Sequence, residues 1–156
     1  MISQRTKYAL KALMILADAA STDQPALTIE EVSKRSGAPK RFLEHILIDL
    51  RNIGLIRSRR GRSGGYMFIK QPGDVSIGEL LRHLDGPIAP LPCLSRSAYQ
   101  RCEDCVDEEA CRIRKMFGQV YWSYLLLIES LTLADLTGGV DMIDRLSAPM
   151  PDVQQI

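Results

Sequence analysis

The sequence predicts a mainly α-helical protein with a small β-wing: a winged helix-turn-helix followed by a long helix suited to dimerisation. Three observations predict it. Two short helical segments are separated by Gly37-Ala38-Pro39. An arginine- and glycine-rich turn then joins two short β-prone runs. A long apolar seam, finally, steps by fours and threes through the second half. The expected division is a DNA-binding unit over 1–72, a linker helix and cysteine-rich loop over 73–110, and a dimerisation helix with a C-terminal helix over 111–147. A tail without regular structure over 148–156 completes it.

The first helix is expected over Gln4–Ala20, with Tyr8, Leu10, Leu13, Met14, Leu16 and Ala17 as its apolar face. Ser21 to Pro25 reads as a loop. Thr28 with Glu31 three residues on makes a capping box for a short helix that stops at Gly37, the natural left-handed terminator. Pro39 suits the first position of the next helix, which runs to about Asn52 and buries Phe42, Leu43, Ile46, Leu47 and Leu50. Leu55–Ser58 and Tyr66–Ile69 are the expected strands. Ser76 with Glu79 opens a further helix to about Asp85, and the prolines at 87, 90 and 92 exclude regular structure after it. A long helix starts at Cys111 or Arg112. Along it Ile113, Phe117, Val120, Tyr124, Leu127 and Leu131 form a heptad-like seam, and a last helix is expected over Leu133–Leu146, interrupted near Thr137-Gly138-Gly139.

Composition is that of a globular domain, 46% hydrophobic and 25% charged. The net charge of +1 hides an asymmetry. Residues 1–72 carry 13 Lys/Arg against 6 Asp/Glu, a net +7, and residues 73–156 carry 7 against 13, a net −6. A basic first half suits a polyanion. The apolar stretch Tyr121–Ala134 is too short and too interrupted for a bilayer, and no signal-peptide core opens the chain, so a cytoplasmic protein without a membrane partner is expected. No Walker loop, no dinucleotide fingerprint and no nucleophile–base pair is recognisable, which argues against an enzyme.

The second short helix opens Lys40-Arg41-Phe42-Leu43-Glu44-His45, and its N-terminal turn is the natural major-groove reader. Arginine grips guanine edges with two hydrogen bonds, and glutamate accepts from cytosine N4. The wing holds Arg57, Arg59, Arg60 and Arg62 within six residues, beside Gly61, Gly64 and Gly65. Glycine lets backbone approach DNA closely, and arginine meets phosphate or the minor groove. The candidate DNA-contacting set is Thr28, Lys40, Arg41, Phe42, Glu44, His45, Arg59, Arg60, Gly61 and Arg62.

All four cysteines lie in one segment, as Cys93-x8-Cys102-x2-Cys105-x5-Cys111. Scattered structural cysteines do not cluster in this way. In a cytoplasmic chain the pattern points to metal or redox chemistry. Soft thiolates suit an iron–sulphur cluster, 2Fe-2S or 4Fe-4S, and equally tetrahedral zinc, and a reversible disulfide is the third option. Spacing alone does not separate cluster from zinc. Cys111 at a helix start also sets its sulfur at the positive end of the helix dipole. Asp104, Asp107, Glu108 and Glu109 around the site read as solvated charges, with a carboxylate ligand among them as the alternative.

The chain resembles the Rrf family of winged-helix transcription regulators, typified by the iron–sulphur sensors IscR, NsrR and RirA. The resemblance rests on Lys7-Tyr8-Ala9-Leu10, Phe42-Leu43-Glu44, Gly54-Leu55-Ile56, Arg60-Gly61 with Gly64-Gly65-Tyr66, Ser76-Ile77-Gly78-Glu79 and Thr132-Leu133-Ala134-Asp135-Leu136. It covers nearly the whole chain. It implies a homodimer on a near-palindromic double-stranded operator and a sensing loop just before the dimerisation helix. Through it, Cys93 and Cys111 match the family's outer cysteine ligands, and Cys102 and Cys105 compete for the middle one. The family's other ligands fall on Arg114, where IscR has histidine, and near Lys7, where NsrR has aspartate. The simplest reading is ligation by all four cysteines; alternatively Cys102 or Cys105 is a spare thiol and an outside group completes the site. The function so implied is a repressor or activator whose operator affinity is gated by a cluster sensing iron, redox or nitric oxide status. The alternative is a constitutive zinc-stapled or thiol-switch regulator.

Overall fold

A computed structural model describes residues 2–22, 26–61 and 64–138. Its elements are α1 (Gln4–Ala20), α2 (Ile29–Ser36), α3 (Lys40–Asn52), β1 (Ile56–Arg59), β2 (Gly65–Phe68), α4 (Ile77–Asp85), α5 (Arg112–Ser130) and α6 (Leu133–Thr137), with 3-10 turns at Pro72–Asp74 and Pro92–Leu94. The chain is mainly α with one two-stranded antiparallel sheet, as its sequence predicts. It forms two compact units. Among the described residues, one comprises 2–7 with Ser76–Leu131, and the other Tyr8–Val75 with 132–138. By this division α6 falls in the same unit as the wing.

In the winged unit, the Thr28 hydroxyl accepts the Glu31 N–H and the Glu31 carboxylate accepts the Thr28 N–H, so both arms of the capping box form. The Thr28 N–H, and then its hydroxyl, holds the Glu31 carboxyl below its ordinary value. Gly37 closes α2 at φ 68°, a conformation that strains any residue with a Cβ. Pro39 is the N-cap of α3 at ψ 136°, one position earlier than the sequence reading put it. Leu43, Ile46, Leu47 and Leu50 are buried, but Phe42 is 43% exposed. The expected stripe on α3 therefore loses its first member, because Phe42 lies against Tyr8 with ring centroids 5.9 Å apart. On α1 the buried apolar residues are Ala9, Ala12, Leu13, Leu16, Ala17 and Ala19, so small alanines replace Tyr8, Leu10 and Met14 of the expected face. The register pairs Ile56 with Phe68 and Arg59 with Gly65, and both strands sit one residue away from their predicted bounds.

A backbone pair ties the wing to the start of the helix pair. The Leu27 N–H donates to Tyr66 O at 3.0 Å, and the Tyr66 N–H to Leu27 O at 2.7 Å. This close approach needs Gly65, whose φ is 147° and on which a Cβ would stand 2.4 Å from Leu27 O. The Asp135 carboxylate accepts from both the N–H and the hydroxyl of Thr132 to start α6. The rest of the predicted last helix and the tail lie outside the described residues.

In the other unit, α4 begins with the Ser76 hydroxyl accepting the Glu79 N–H, and it packs on α5. Gly78 makes the approach close: a Cβ there would meet Glu129 Cγ at 3.1 Å. Arg82 pairs with Glu129 at 3.1 Å. The N-terminal segment is lashed to the end of α4, where Asp85 accepts from the Ser3 N–H at 3.0 Å and the Thr6 hydroxyl at 2.7 Å. Cys93, Leu94, Tyr121 and Leu125 form a small apolar core with Ile88 and Ile128 against it. The proline segment holds one 3-10 turn, Pro92–Leu94, because proline at its first position has no N–H to lose. Among the described residues no helix is long and apolar enough to cross a membrane.

Candidate nucleic-acid interface and thiol cavity

The candidate DNA-contacting residues on α3 form one exposed turn. Lys40, Arg41, Glu44 and His45 are all exposed. Arg41 places its guanidinium 4.9 Å from the Phe42 ring centre, and the Arg41 carbonyl lies 3.3 Å from His45 Nδ1. Lys40 is ion-paired with Glu30 of α2, which raises its ammonium and lowers the Glu30 carboxyl from their ordinary values. Thr28 caps α2 and is exposed. At the ribbon, Arg57, Arg59, Arg60 and Gly61 are exposed, and the Gly64 N–H donates to Gly61 O at 2.9 Å to close the turn. Arg62 lies outside the described residues. Sequence reasoning missed Glu30, which occupies Lys40, and Tyr8, which props Phe42. Neither partnership leaves a trace in local spacing.

The four cysteines are free thiols, and all four line one cavity of about 510 Å³ together with Leu91 and Arg114. Cys93 is held in the small core by the turn at Pro92. Burial, and then the adjacent Cys93 thiol, push the Cys102 thiol up. The Cys105 N–H donates to Cys102 O at 3.2 Å, bending the two-residue spacer back on itself. Cys111 is the N-cap of α5, its sulfur accepting the Arg114 N–H at 3.4 Å. Polar links shape the rest of the loop. Tyr99 donates to Glu108, which raises the Tyr99 phenol, and Asp107 accepts from the N–H groups of Glu109 and Ala110. Arg101 donates to the carbonyls of Cys105 and Val106. Asp107 and Glu108 are therefore engaged rather than merely solvated, as the sequence reading had them.

The donor set fits a thiolate-bound metal or cluster: four soft sulfurs around one space, with a guanidinium lining it to offset their charge. Among the described residues no three His, Cys, Asp or Glu side chains stand close enough together to hold a metal ion. The thiols share a cavity and would have to draw inward to share a ligand.

Helix pair, exposed first turn of α3 and arginine-bearing ribbon define a winged helix-turn-helix, DNA-binding transcription regulator. The chain belongs to the Rrf2 family, described as iron-dependent transcriptional regulators, whose profile matches residues 2–139. It is similar to an rrf2-like HTH-type transcriptional regulator of Rhodobacter capsulatus, 69% identical over 137 residues that cover 87% of this chain and 91% of that one. Among solved structures it resembles CymR (YrzC), the global cysteine regulator of B. subtilis. That likeness has a TM-score of 0.70 at 25% identity and covers 88% of this chain and 96% of that one. It also has the fold of T. potens IscR, with a TM-score of 0.65 at 24% identity, over 97% of this chain and 92% of that one. These relatives are regulators rather than enzymes.

Proposed function

We propose that this regulator is a cytoplasmic homodimer whose affinity for a double-stranded operator is set by an iron–sulphur cluster, 2Fe-2S or 4Fe-4S, held by Cys93, Cys102, Cys105 and Cys111. The observation that carries the reading is the single cavity lined by all four thiols. The family's description as iron-dependent supports it. A cluster there would supply one-electron chemistry and sensitivity to oxidants or nitric oxide. The chain's own residues do the rest. Arg41 and Glu44 face base edges, Lys40, Arg59 and Arg60 neutralise phosphates, and the wing glycines admit the backbone to the groove. Loop closure around a ligand biases the dimer by a coupling typical of allosteric sites, ~1–3 kcal/mol.

The dimer rests on α5, where Ile113, Phe117, Val120, Tyr124 and Leu127 are exposed, Leu127 by 61%. A stripe of this length left in water calls for a partner surface. Leu127→Asp should yield monomers in sedimentation, since a charge in the seam goes unpaired.

A thiol switch is the second reading. It is favoured by the free thiol of Cys102 packing against the small core that holds Cys93 and by the cysteine-regulator relative. Structural zinc on the same sulfurs is its metal-bound counterpart. Anaerobic purification with metal analysis separates the three. Brown protein with visible charge-transfer absorption is expected, and each Cys→Ala variant should bleach. Bleaching in only one of Cys102→Ala and Cys105→Ala would reduce the ligand set to three cysteines. Colourless protein carrying stoichiometric zinc and refusing reconstitution would overturn the cluster.

A further inference from the structure

We propose that Arg114 is the charged hydrogen-bond donor of the thiol cavity, its Nε–H reserved for a sulfur of whatever thiolate-bound metal centre the four cysteines hold. The inference deepens the cofactor reading above and rests on it.

Three observations converge on this side chain. First, Arg114 Nε is, among the described residues, the one buried side-chain nitrogen or oxygen without a hydrogen-bond partner. Buried donors are satisfied in the great majority of cases, and leaving one unpaired costs about 1–3 kcal/mol. The carboxylate nearest to it, Glu108 Oε2, stands 3.9 Å away. That is an ion pair, but it is too long for a hydrogen bond. Second, Arg114 lines the same cavity as the four thiols. Third, its own backbone N–H already donates to Cys111 Sγ at 3.4 Å, so one turn of α5 fixes both the sulfur and the guanidinium root.

The chemistry follows from charge. Four thiolates around a divalent metal carry a net −2, and their partial burial makes that charge costly unless a cation offsets it. Arginine stays protonated where lysine or histidine loses its proton, and its N–H groups donate in fixed directions. Arg101, the loop's other cation, already donates to the carbonyls of Cys105 and Val106, and Asp104, Asp107, Glu108 and Glu109 carry the wrong sign. Glu108 is itself tied to Tyr99. It therefore steadies the guanidinium from outside without saturating Nε. Arg114 is a positioning residue and not a ligand, since a guanidinium offers no lone pair to metal.

The test uses the full chain, reduced and metal-free, titrated anaerobically with Co²⁺ as the probe while thiolate-to-metal absorption is read. Arg114→Met should weaken Co²⁺ binding roughly ten- to a hundredfold, the usual cost of removing an outer hydrogen-bond partner of a metal ligand. Arg114→Lys should recover only part of that loss. Glu108→Gln is the control for a purely structural role, because it breaks the ion pair and leaves Nε in place. It should bind Co²⁺ as well as the parent or better. After reconstitution, the cluster midpoint potential of Arg114→Met should fall, since a positive donor favours the added electron. Parent-like Co²⁺ affinity in Arg114→Met would overturn the assignment, as would a Glu108→Gln loss equal to it, which would make Arg114 a loop latch. A parent protein that takes neither Co²⁺ nor cluster would overturn this proposal together with the cofactor reading.

Discussion

From Tyr8 to Val75, elements end on caps and turns that are satisfied within a few residues, and the wing is pinned by the Leu27–Tyr66 backbone pair. From Pro87 to Cys111 regular structure shrinks to one 3-10 turn, and the chain is held instead by side chains: Tyr99 on Glu108, Arg101 on two carbonyls, Asp107 on two N–H groups. The first region is a scaffold whose shape is set by backbone hydrogen bonding and a core of aliphatic residues. The second keeps four free thiols and an unmatched guanidinium nitrogen around an open space. The difference is what a reader and a receptor require. On the proposed function, a turn that reads bases must be rigid before it meets DNA, whereas a loop that gathers a metal must be able to contract.

The largest expected effect breaks the first region. Gly65→Ala places a Cβ 2.4 Å from Leu27 O at a φ of 147°, so the strand pair and the bridge to Leu27 cannot both persist. Strain of this kind costs about 3 kcal/mol or more. Thermal unfolding should shift down by on the order of 10 °C. An unchanged melting curve would mean that the wing is as deformable as the loop, and the contrast between the two regions would fail.

The wing arginines sharpen the same comparison from the functional side. Replacing Arg59 and Arg60 with Ala leaves the exposed ribbon's backbone pairs intact and removes two phosphate-seeking charges. Operator affinity should drop at least tenfold at low salt. The slope of log affinity against log salt should flatten by about 2 per protomer. Salt-dependent fluorescence titrations read both numbers, and an unchanged slope would take the wing out of the interface. Glu44→Ala should act on choice more than on affinity. Losing an acceptor for cytosine N4 costs ~1–3 kcal/mol of discrimination, so a selection from random DNA should return a relaxed consensus at one position per half-site.

The two regions were also unequally legible in sequence. The Thr28/Glu31 box, Gly37 at φ 68° and the Leu43–Leu50 stripe announced α2 and α3 nearly to the residue, because caps and periodicity are local chemistry. What failed there was tertiary. Phe42 turned outward because Tyr8, 34 positions earlier, offers it a ring, and alanines rather than Leu10 and Met14 were buried on α1. In the loop, the clustering of Cys93, Cys102, Cys105 and Cys111 was plain, and a shared space for them followed from that clustering alone. Its walls did not. No spacing rule says that Glu108 will take Tyr99 or that Arg114 will bury Nε, since an irregular segment has no period to read. Asp135 was overlooked as the box partner of Thr132 because glutamate or glutamine, with the longer reach, is the usual residue there.

The smallest expected effect concerns the knot at Asp85, a polar attachment in the unit that carries the loop. Partial burial opposes the Asp85 carboxylate, but hydrogen bonds from Ser3 and Thr6 and the charge of Arg5 outweigh it, and the group is held below its ordinary value of 3.8. A carboxyl lowered on folding contributes stability that is present above its unfolded pKa and lost as pH falls through the folded one. The contribution should therefore be whole at neutral pH and be lost progressively as pH falls below about 4. Asp85→Asn keeps the shape and removes the charge. It should cost about 1 kcal/mol at pH 7, the scale of a solvent-screened hydrogen-bonded carboxylate. Urea unfolding of both proteins at pH 7 and pH 3 checks the sign. The gap between the two proteins should narrow at the acid end, as the parent protonates the same oxygen. A gap as wide at pH 3 as at pH 7 would mean that Asp85 acts through its shape rather than its charge, and the N-terminal attachment would then be independent of pH.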